Sequence, residues 1–316
     1  MKILVTGAAG FIGSHIVDSL VAQNHQVVGV DNFSTGAHEN VNAYSKIYDM
    51  DINSEEVSTV FSYERPEVII HHAAQIDVGS SMKNPLNDQH INIRGTLNIL
   101  ENMKKFGGKK IIYASSAAVY GTPKYLPVNE AHPIEPLSFY GISKYTPENY
   151  IKIYSEECGF KYTIFRYSNV YGPRQSAIGE AGVISIFINR LANKQAPIIH
   201  GDGEQYRDFI YVSDIVNANV KALELGDGEI LNLSMCETST INYLLSLLKR
   251  NMSSDILPIF DQERVGDIRE SCLDNSKAKK ILGWSPEYSL EDGIGDLCKY
   301  YKEKEEKLIF NLEAEI

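Results

Sequence analysis

The chain opens with a short apolar run, Lys2 to Thr6, which passes through Gly7, Ala8, Ala9, Gly10, Phe11, Ile12 and Gly13 into a helical pattern, Phe11 to Ala22. This junction constrains the fold more than any other feature. Glycines there allow a tight turn, close approach of backbone N–H groups to a pyrophosphate, and close packing of helix on strand. The triplet alone also fits a plain strand-to-helix turn. Its place at the first strand, opening a helix, favours a dinucleotide.

The same rhythm continues downstream. Gln26 to Val30, Glu67 to His71, Lys110 to Ala114 and Tyr162 to Arg166 predict strands, while Ser54 to Tyr63, Asn87 to Phe106 and Tyr140 to Cys158 carry apolar residues at helical spacing. Alternation of this kind predicts an α/β fold: a doubly wound parallel sheet of Rossmann type joined by right-handed crossovers. At 316 residues the chain exceeds one ordinary core, so a smaller C-terminal substrate lobe is expected. Beyond Tyr171 the rhythm breaks into Gly- and Pro-punctuated loops, with helical patterns at Val183 to Ala192, Val212 to Leu225, Thr240 to Lys249 and Leu290 to Glu303. Residues 1–172 are therefore expected to form the dinucleotide domain and 173–316 mainly the substrate lobe, with Ile230 to Leu233 returning the chain to the sheet within about 208–234. From Lys302 onward the charged tail reads as a solvated helix end.

A net charge of −11 argues against nucleic acid or an anionic membrane as the main partner. No apolar run approaches the roughly 20 residues of a bilayer span, and Met1 to Thr6 leads into the glycine turn instead of a signal-peptide cleavage region, so a cytoplasmic protein is expected. Cys158, Cys236, Cys272 and Cys298 show no zinc spacing and read as reduced structural residues; no metal is expected.

Asp31 ends the second strand about 20 residues beyond the glycines, where a carboxylate accepts from both adenosine ribose hydroxyls and repels a 2′-phosphate. NAD is thus favoured over NADP. Asn32, Ser34, Thr35 and Gly36 come next as a loop around that ribose, and Asp51 and Ile52, taken as the end of the next strand, as residues that bond and cover the adenine. His71, His72, Ala73, Ala74 and Gln75 close the fourth strand, where small residues let a cofactor cross the backbone. The histidine pair reads as a satisfied strand end, with no carboxylate at ligand spacing to make a metal site.

Ser115 and Ser116 end the fifth strand, followed by Ala117, Ala118, Val119, Tyr120 and Gly121. Tyr140, Gly141, Ile142, Ser143 and Lys144 set a phenol and an ammonium at i and i+4, on one helix face. Each feature alone is commonplace. In this order, however, the glycine turn, Asp31, Ser116 and the Tyr140–Lys144 pair resemble the extended short-chain dehydrogenase/reductase family of NAD-dependent epimerase/dehydratase type, and the match covers nearly the whole chain. The resemblance implies a triad in which Lys144 and the nicotinamide's positive charge lower the Tyr140 pKa, so that the phenolate takes a proton from a sugar 4-hydroxyl held by Ser116. It also implies that Lys144 holds the nicotinamide ribose, and that Asn92 sits near the cofactor and anchors backbone there.

Arg166, Tyr167, Ser168, Asn169, Val170, Tyr171, Gly172, Pro173, Arg174 and Gln175 resemble the segment that nucleotide-sugar enzymes place below the nicotinamide, which assigns Tyr167 to the cofactor and Asn169 to the substrate diphosphate. Gly179, Glu180, Ala181, Gly182, Val183, Ile184, Ser185, Ile186 and Phe187 resemble bacterial UDP-glucose 4-epimerases in particular. The segment from Gly201 through Gln205 to Ile210 puts Arg207 where the family binds a diphosphate, and the late Arg264, Val265, Gly266, Asp267 element implies an Arg for phosphate and an Asp for the uridine ribose. His200 falls at the uracil-stacking position, and Ser271 at the position that screens the sugar 2-substituent, where a small residue leaves room for an N-acetyl group.

Related dehydratases carry an Asp–Glu pair at Ala117 and Ala118, related decarboxylases a Glu at Ala118, and fucose synthases an additional Cys in this loop; an epimerase needs only the triad. The resemblance as a whole implies C4 epimerisation of a UDP-hexose (UDP-glucose, UDP-galactose and, with Ser271, UDP-N-acetylhexosamines) through a 4-keto sugar. Epimerases of UDP-glucuronate or a dTDP-hexose stay open, as does a non-catalytic NAD-bound sensor. The family also implies a homodimer built on the helices around Asn92 and Tyr140.

Overall fold

In a computed structural model of the chain, the described residues are 1–176, 182–263 and 268–314, with side chains described as far as Lys304. The chain runs β1 (Lys2–Thr6), α1 (Phe11–Ala22), β2 (Gln26–Asp31), β3 (Lys46–Asp49), α2 (Val57–Glu64), β4 (Val68–His71), α3 (Val78–Lys83), α4 (Pro85–Gln89), α5 (Gly95–Phe106), β5 (Lys110–Ser116), α6 (Phe139–Cys158) and β6 (Lys161–Tyr167). It continues through β7 (Asn169–Tyr171), α7 (Val183–Ala192), β8 (Ile198–His200), β9 (Tyr206–Arg207), β10 (Phe209–Tyr211), α8 (Val212–Lys221) and β11 (Glu229–Leu233). The remainder is β12 (Ser239–Thr240), α9 (Ile241–Met252), β13 (Ile259–Asp261), α10 (Ser276–Leu282) and α11 (Leu290–Ala314).

Seven strands form one sheet in the order β11-β6-β5-β4-β1-β2-β3, every pair parallel. Both faces are covered, which explains the continuous apolar strands. Alternation sorts the side chains: Ile3, Val5, Ile70, Ile112, Phe165 and Leu231 pack toward α1, α8 and α10, whereas Leu4, Ile69, Ile111 and Ile164 pack toward α2, α5 and α6. A third apolar cluster, built from α7, α9, α11 and the short strands β8 and β10, lies C-terminal to β6.

Four expected elements differ: α2 starts at Val57 instead of Ser54, α8 ends at Lys221 instead of Leu225, and two others depart further. The third strand stops at Asp49, short of Asp51 and Ile52, because the Asp51 carboxylate accepts from Asn53 N at 2.7 Å and turns the chain. The expected helix over Asn87 to Phe106 is three pieces: α4, a wide π turn at His90–Arg94, and α5. In the wide turn Asn92 O accepts from Thr96 Oγ1 at 2.6 Å, and such insertions gather at functional sites.

Candidate active site

All the sequence-selected groups on the first six strands lie at the carboxyl ends of the sheet, where β1 meets β2 on one side and β4 on the other. Ligands of doubly wound sheets bind at that reversal of strand order. Gly7 takes φ +69°, and a Cβ on Gly13 would lie 2.0 Å from Gly7 O, so turn and helix approach at a distance only glycine permits. No side chain caps α1, which leaves its first-turn N–H groups for an anion.

Asp31 is buried, accepts from Ala9 N at 2.9 Å and Phe33 N at 2.8 Å, and makes no ion pair among the described residues. Lone pairs remain on both oxygens for hydroxyl donors. Asn32 Nδ2 donates to Asp51 at 3.0 Å, Ser34 N donates back to Asn32 at 3.1 Å, and a Cβ on Gly36 would sit 2.9 Å from Asp31 Oδ1. Thr35 belongs to this loop, and Ile52 is buried under Gly95 and accepts from Asn98 Nδ2 at 2.6 Å. Ala73 N donates to Thr6 Oγ1 at 3.1 Å; beyond Ala74, Gln75 is clamped by Asn92, whose Oδ1 accepts from Gln75 N at 2.8 Å and whose Nδ2 donates to Gln75 O at 2.9 Å. The same Nδ2 lies 2.9 Å from Ser143 Oγ, tying this loop to α6.

Ser116 ends β5, and its Oγ accepts from Ala118 N at 3.1 Å, turning the chain into the Ala117–Val119 loop. Ser138 caps α6, accepting from Gly141 N at 3.1 Å. A Cβ on Gly141 would lie 2.6 Å from Ala118 O, so glycine lets the start of α6 seat against the serine loop and carries Tyr140 with it. Tyr140 N is fixed by Ser81 Oγ at 3.1 Å.

Lys144 follows one turn on, 4% exposed, its Nζ 5.2 Å above the Tyr113 ring and without an ion-pair partner among the described residues. Burial lowers its pKa to about 8, against the opposing pull of Asp88 and Glu148. One further turn on, Glu148 is fully buried; it accepts from Ser115 Oγ at 2.6 Å and pairs with Arg166 through bonds of 3.0 and 2.6 Å. Arg166 Nη1 also donates to Tyr120 Oη at 3.0 Å, and Tyr120 donates to Asn232 at 2.7 Å on β11.

The sugar-side residues gather beyond β7. Asn169 Nδ2 donates to Asp208 O at 3.1 Å; Gln205 Nε2 donates to His200 O at 2.9 Å, while its buried Oε1 lacks a partner among the described residues. Arg207 Nη1 reaches Tyr206 O at 2.9 Å, and Ser271 N donates to Tyr206 O at 3.3 Å, so His200, Gln205, Arg207 and Ser271 share one loop cluster. Val183 begins α7. Arg264 and Asp267 lie outside the described residues, as does the segment from Gly179 to Ala181.

Several residues here escaped sequence reasoning. Glu148 had a signal, since Tyr140, Lys144 and Glu148 form one helical stripe; Asp208 had none. Its buried carboxylate collects N–H bonds from Met235, Cys236 and Leu273 at 2.9, 3.2 and 3.3 Å. Burial holds its pKa up at about 7, and the Cys272 thiol, remote in sequence, faces both it and the Cys236 thiol. All four cysteines are free.

The profile of the NAD dependent epimerase/dehydratase family matches residues 3–234. A UDP-glucose 4-epimerase of Mycolicibacterium smegmatis is 36% identical over 311 residues, covering 96% of this chain and 99% of its own. The structure of UDP-glucose 4-epimerase from Thermotoga maritima with UDP-glucose superposes with a TM-score of 0.94 at 44% identity, covering 96% of this chain and 99% of that one. A UDP-N-acetylglucosamine 4-epimerase of Methanobrevibacter ruminantium, bound to UDP-N-acetylmuramic acid, does so at 0.91 and 34%, covering 96% and 98%.

Proposed function

From the premise that this chain belongs to the NAD dependent epimerase/dehydratase family, we propose that it is an NAD-dependent enzyme that interconverts UDP-hexoses epimeric at C4, UDP-glucose and UDP-galactose first. One observation carries this reading: Gly141 seated on Ala118 O brings Tyr140 and Lys144 to the serine loop with no further acid or base in that loop. Elimination of water would need such groups; an epimerase returns what it removes.

The residues fit a dinucleotide: the turn is at glycine clearance and Asp31 keeps acceptors for a ribose diol. We assign Gly7, Gly10, Phe11, Ile12 and Gly13 to its diphosphate, with Asn32 to Gly36, Asp51 and Ile52 around the adenosine. His72 to Gln75, Asn92, Ser115 and Tyr167 line the nicotinamide half. When bound, NAD takes the C4 hydrogen as hydride and gives it back. Tyr140 holds the proton of the 4-hydroxyl meanwhile, Ser116 hydrogen-bonds the same oxygen, and Lys144, with no counter-ion among the described residues, is left to bond the nicotinamide ribose. Turning the 4-keto sugar over before reduction inverts C4, which requires Asn169, Arg207, Arg264 and Asp267 to grip the UDP while Ser271 leaves the hexose loose.

Purified protein given UDP-galactose without added NAD is expected to form UDP-glucose, followed by anion-exchange chromatography; no turnover even with NAD supplied would refute the reading. Ser271 predicts that UDP-N-acetylglucosamine is turned over too, and that Ser271→Tyr abolishes this activity while sparing UDP-galactose. Equal loss of both activities would rule out its screening role.

Residues 1–172 then serve mainly NAD and 173–316 mainly the nucleotide sugar. No helix among the described residues is long and apolar enough to cross a membrane, and we place the enzyme in the cytoplasm. Exposed Leu86 on α4 and Ile142, Tyr150 and Ile153 along α6 supply an apolar face for a second copy. Light scattering should give the mass of a dimer, and Ile142→Glu the mass of a monomer; a monomeric parent protein would exclude the assembly.

A further inference from the structure

His71, which ends β4, and His72, which follows it, carry opposite tautomers, and among the described residues only His71 has both ring nitrogens partnered. His71 Nδ1 lies 2.6 Å from Thr6 Oγ1, and its Nε2 lies 2.9 Å from Thr96 Oγ1, whose own proton goes to Asn92 O at 2.6 Å. Thr96 therefore accepts from His71 Nε2–H, and Thr6 donates to His71 Nδ1. Every polar atom of that ring has a partner.

For His72 the order reverses. The amide of Asn219 must place nitrogen toward Ile215 O, which can only accept, at 2.9 Å; its second proton goes to Tyr167 Oη, also at 2.9 Å. His72 Nε2, at 2.9 Å, is the one acceptor that Tyr167 Oη meets among the described residues, so the phenol proton goes there. His72 is neutral, because burial and the Lys144 ammonium lower its pKa to about 3. Its one ring proton is consequently on Nδ1.

That Nδ1 is buried and has no partner among the described residues. Nearby Thr6 Oγ1 is already used, accepting from His72 N at 3.2 Å and Ala73 N at 3.1 Å. A buried donor stranded in this way is costly unless something completes it. His72 follows β4 directly, and the backbone of residues 72 and 73 lies within 3.1 Å of where a Gly7 Cβ would stand, so the residue that carries the stranded donor stands where β1 and β4 mark the reversal of strand order.

We propose that Asn219, Tyr167 and His72 form a buried relay that fixes His72 as its Nδ1–H tautomer, so that this N–H donates to an oxygen of the bound dinucleotide and helps retain it. The inference rests on the NAD reading above. Since the imidazole is neutral, its contribution is one directed hydrogen bond and not a charge. Asn219, eight residues into α8, acts through Tyr167 as a positioning residue.

Titration of NAD into cofactor-stripped full-length protein by calorimetry tests this, together with the nucleotide content of each variant as purified. His72→Phe keeps a ring against Tyr167 and should weaken NAD binding about tenfold, the scale of one buried hydrogen bond. His72→Asn, which keeps a donor at the δ position, should recover most of that loss. In the unaltered protein, nitrogen NMR of the His72 ring should show a protonated Nδ1 whose proton signal moves downfield when NAD is added. Unchanged affinity in His72→Phe, equal weakening in His72→Asn, or a protonated Nε2 would overturn the proposal. Failure of the unaltered protein to bind NAD at all would instead strike the functional reading beneath it.

Discussion

Replacing Tyr140 with phenylalanine is expected to lower kcat for UDP-galactose by about a thousandfold, the usual scale for loss of a positioned acid–base group. KM and retained NAD should stay close to those of the parent protein. The substitution removes one oxygen and keeps the ring, and the features that hold the start of α6 do not involve that oxygen: the Ser138 cap, Tyr140 N on Ser81, and Gly141 against Ala118 O. A phenylalanine therefore occupies the same place without a proton carrier. Loss of kcat alone would identify the phenol as the group that takes the 4-hydroxyl proton; a variant that kept more than a tenth of parental kcat would exclude it. If NAD were lost in parallel, Tyr140 would be acting in binding instead.

A different kind of loss is expected from Arg166→Met. With Glu148 fully buried and Arg166 3% exposed, removing the guanidinium strands a carboxylate in the interior, with only the Ser115 hydroxyl among the described residues still donating to it. Breaking one side of a buried pair typically costs about 3–5 kcal/mol, against near-neutral effects when both sides are replaced by apolar groups. Chemical denaturation at fixed protein and NAD concentration should report a loss in that range, since bound cofactor alone shifts apparent stability. The sign of its pH dependence is also fixed. Burial without a partner penalises the charged form of a carboxylate, so the loss of stability is greatest at neutral pH and shrinks on acidification. A double variant with Glu148→Gln should regain much of the stability. A loss below 1 kcal/mol, or one that grows on acidification, would contradict this account.

How much of this was legible in the sequence depended on whether the cause was local. Phe11–Ala22 could be bounded because glycine turn, apolar stripe and helix end lie side by side in the chain. Tyr140 and Lys144 were visible for the same reason, being one turn apart. The third strand was overextended because a single Asx turn at Asp51 outweighed the apolar character of Ile52. The π turn at Asn92 left no mark, since adding one residue to a turn hardly alters an amphipathic pattern. Least legible were contacts made through tertiary closure: Arg166 meets Glu148 from the next strand, and Cys236 and Cys272 meet over Asp208 only because two loops cross it. Composition and period contain no information about such meetings. On the sugar side, resemblance alone grouped His200, Gln205, Arg207 and Ser271, and the backbone bonds through Tyr206 supply the physical reason for the grouping.

The placement of β11 has a consequence for how the polypeptide emerges from the ribosome. The edge of the main sheet beside β6 is closed by residues 229–233, and the apolar layer beneath it is finished only by Ala278, Leu282 and Trp284. A nascent chain that has delivered its glycine turn, its serine loop and its Tyr–Lys helix still exposes an unpaired parallel edge and an uncovered layer until most of the remaining chain has been made. Such edges are slow to satisfy and prone to aggregate. The first half of this enzyme cannot mature ahead of the second, and a fragment ending near Gly172 is expected to need chaperone protection that the whole chain outgrows.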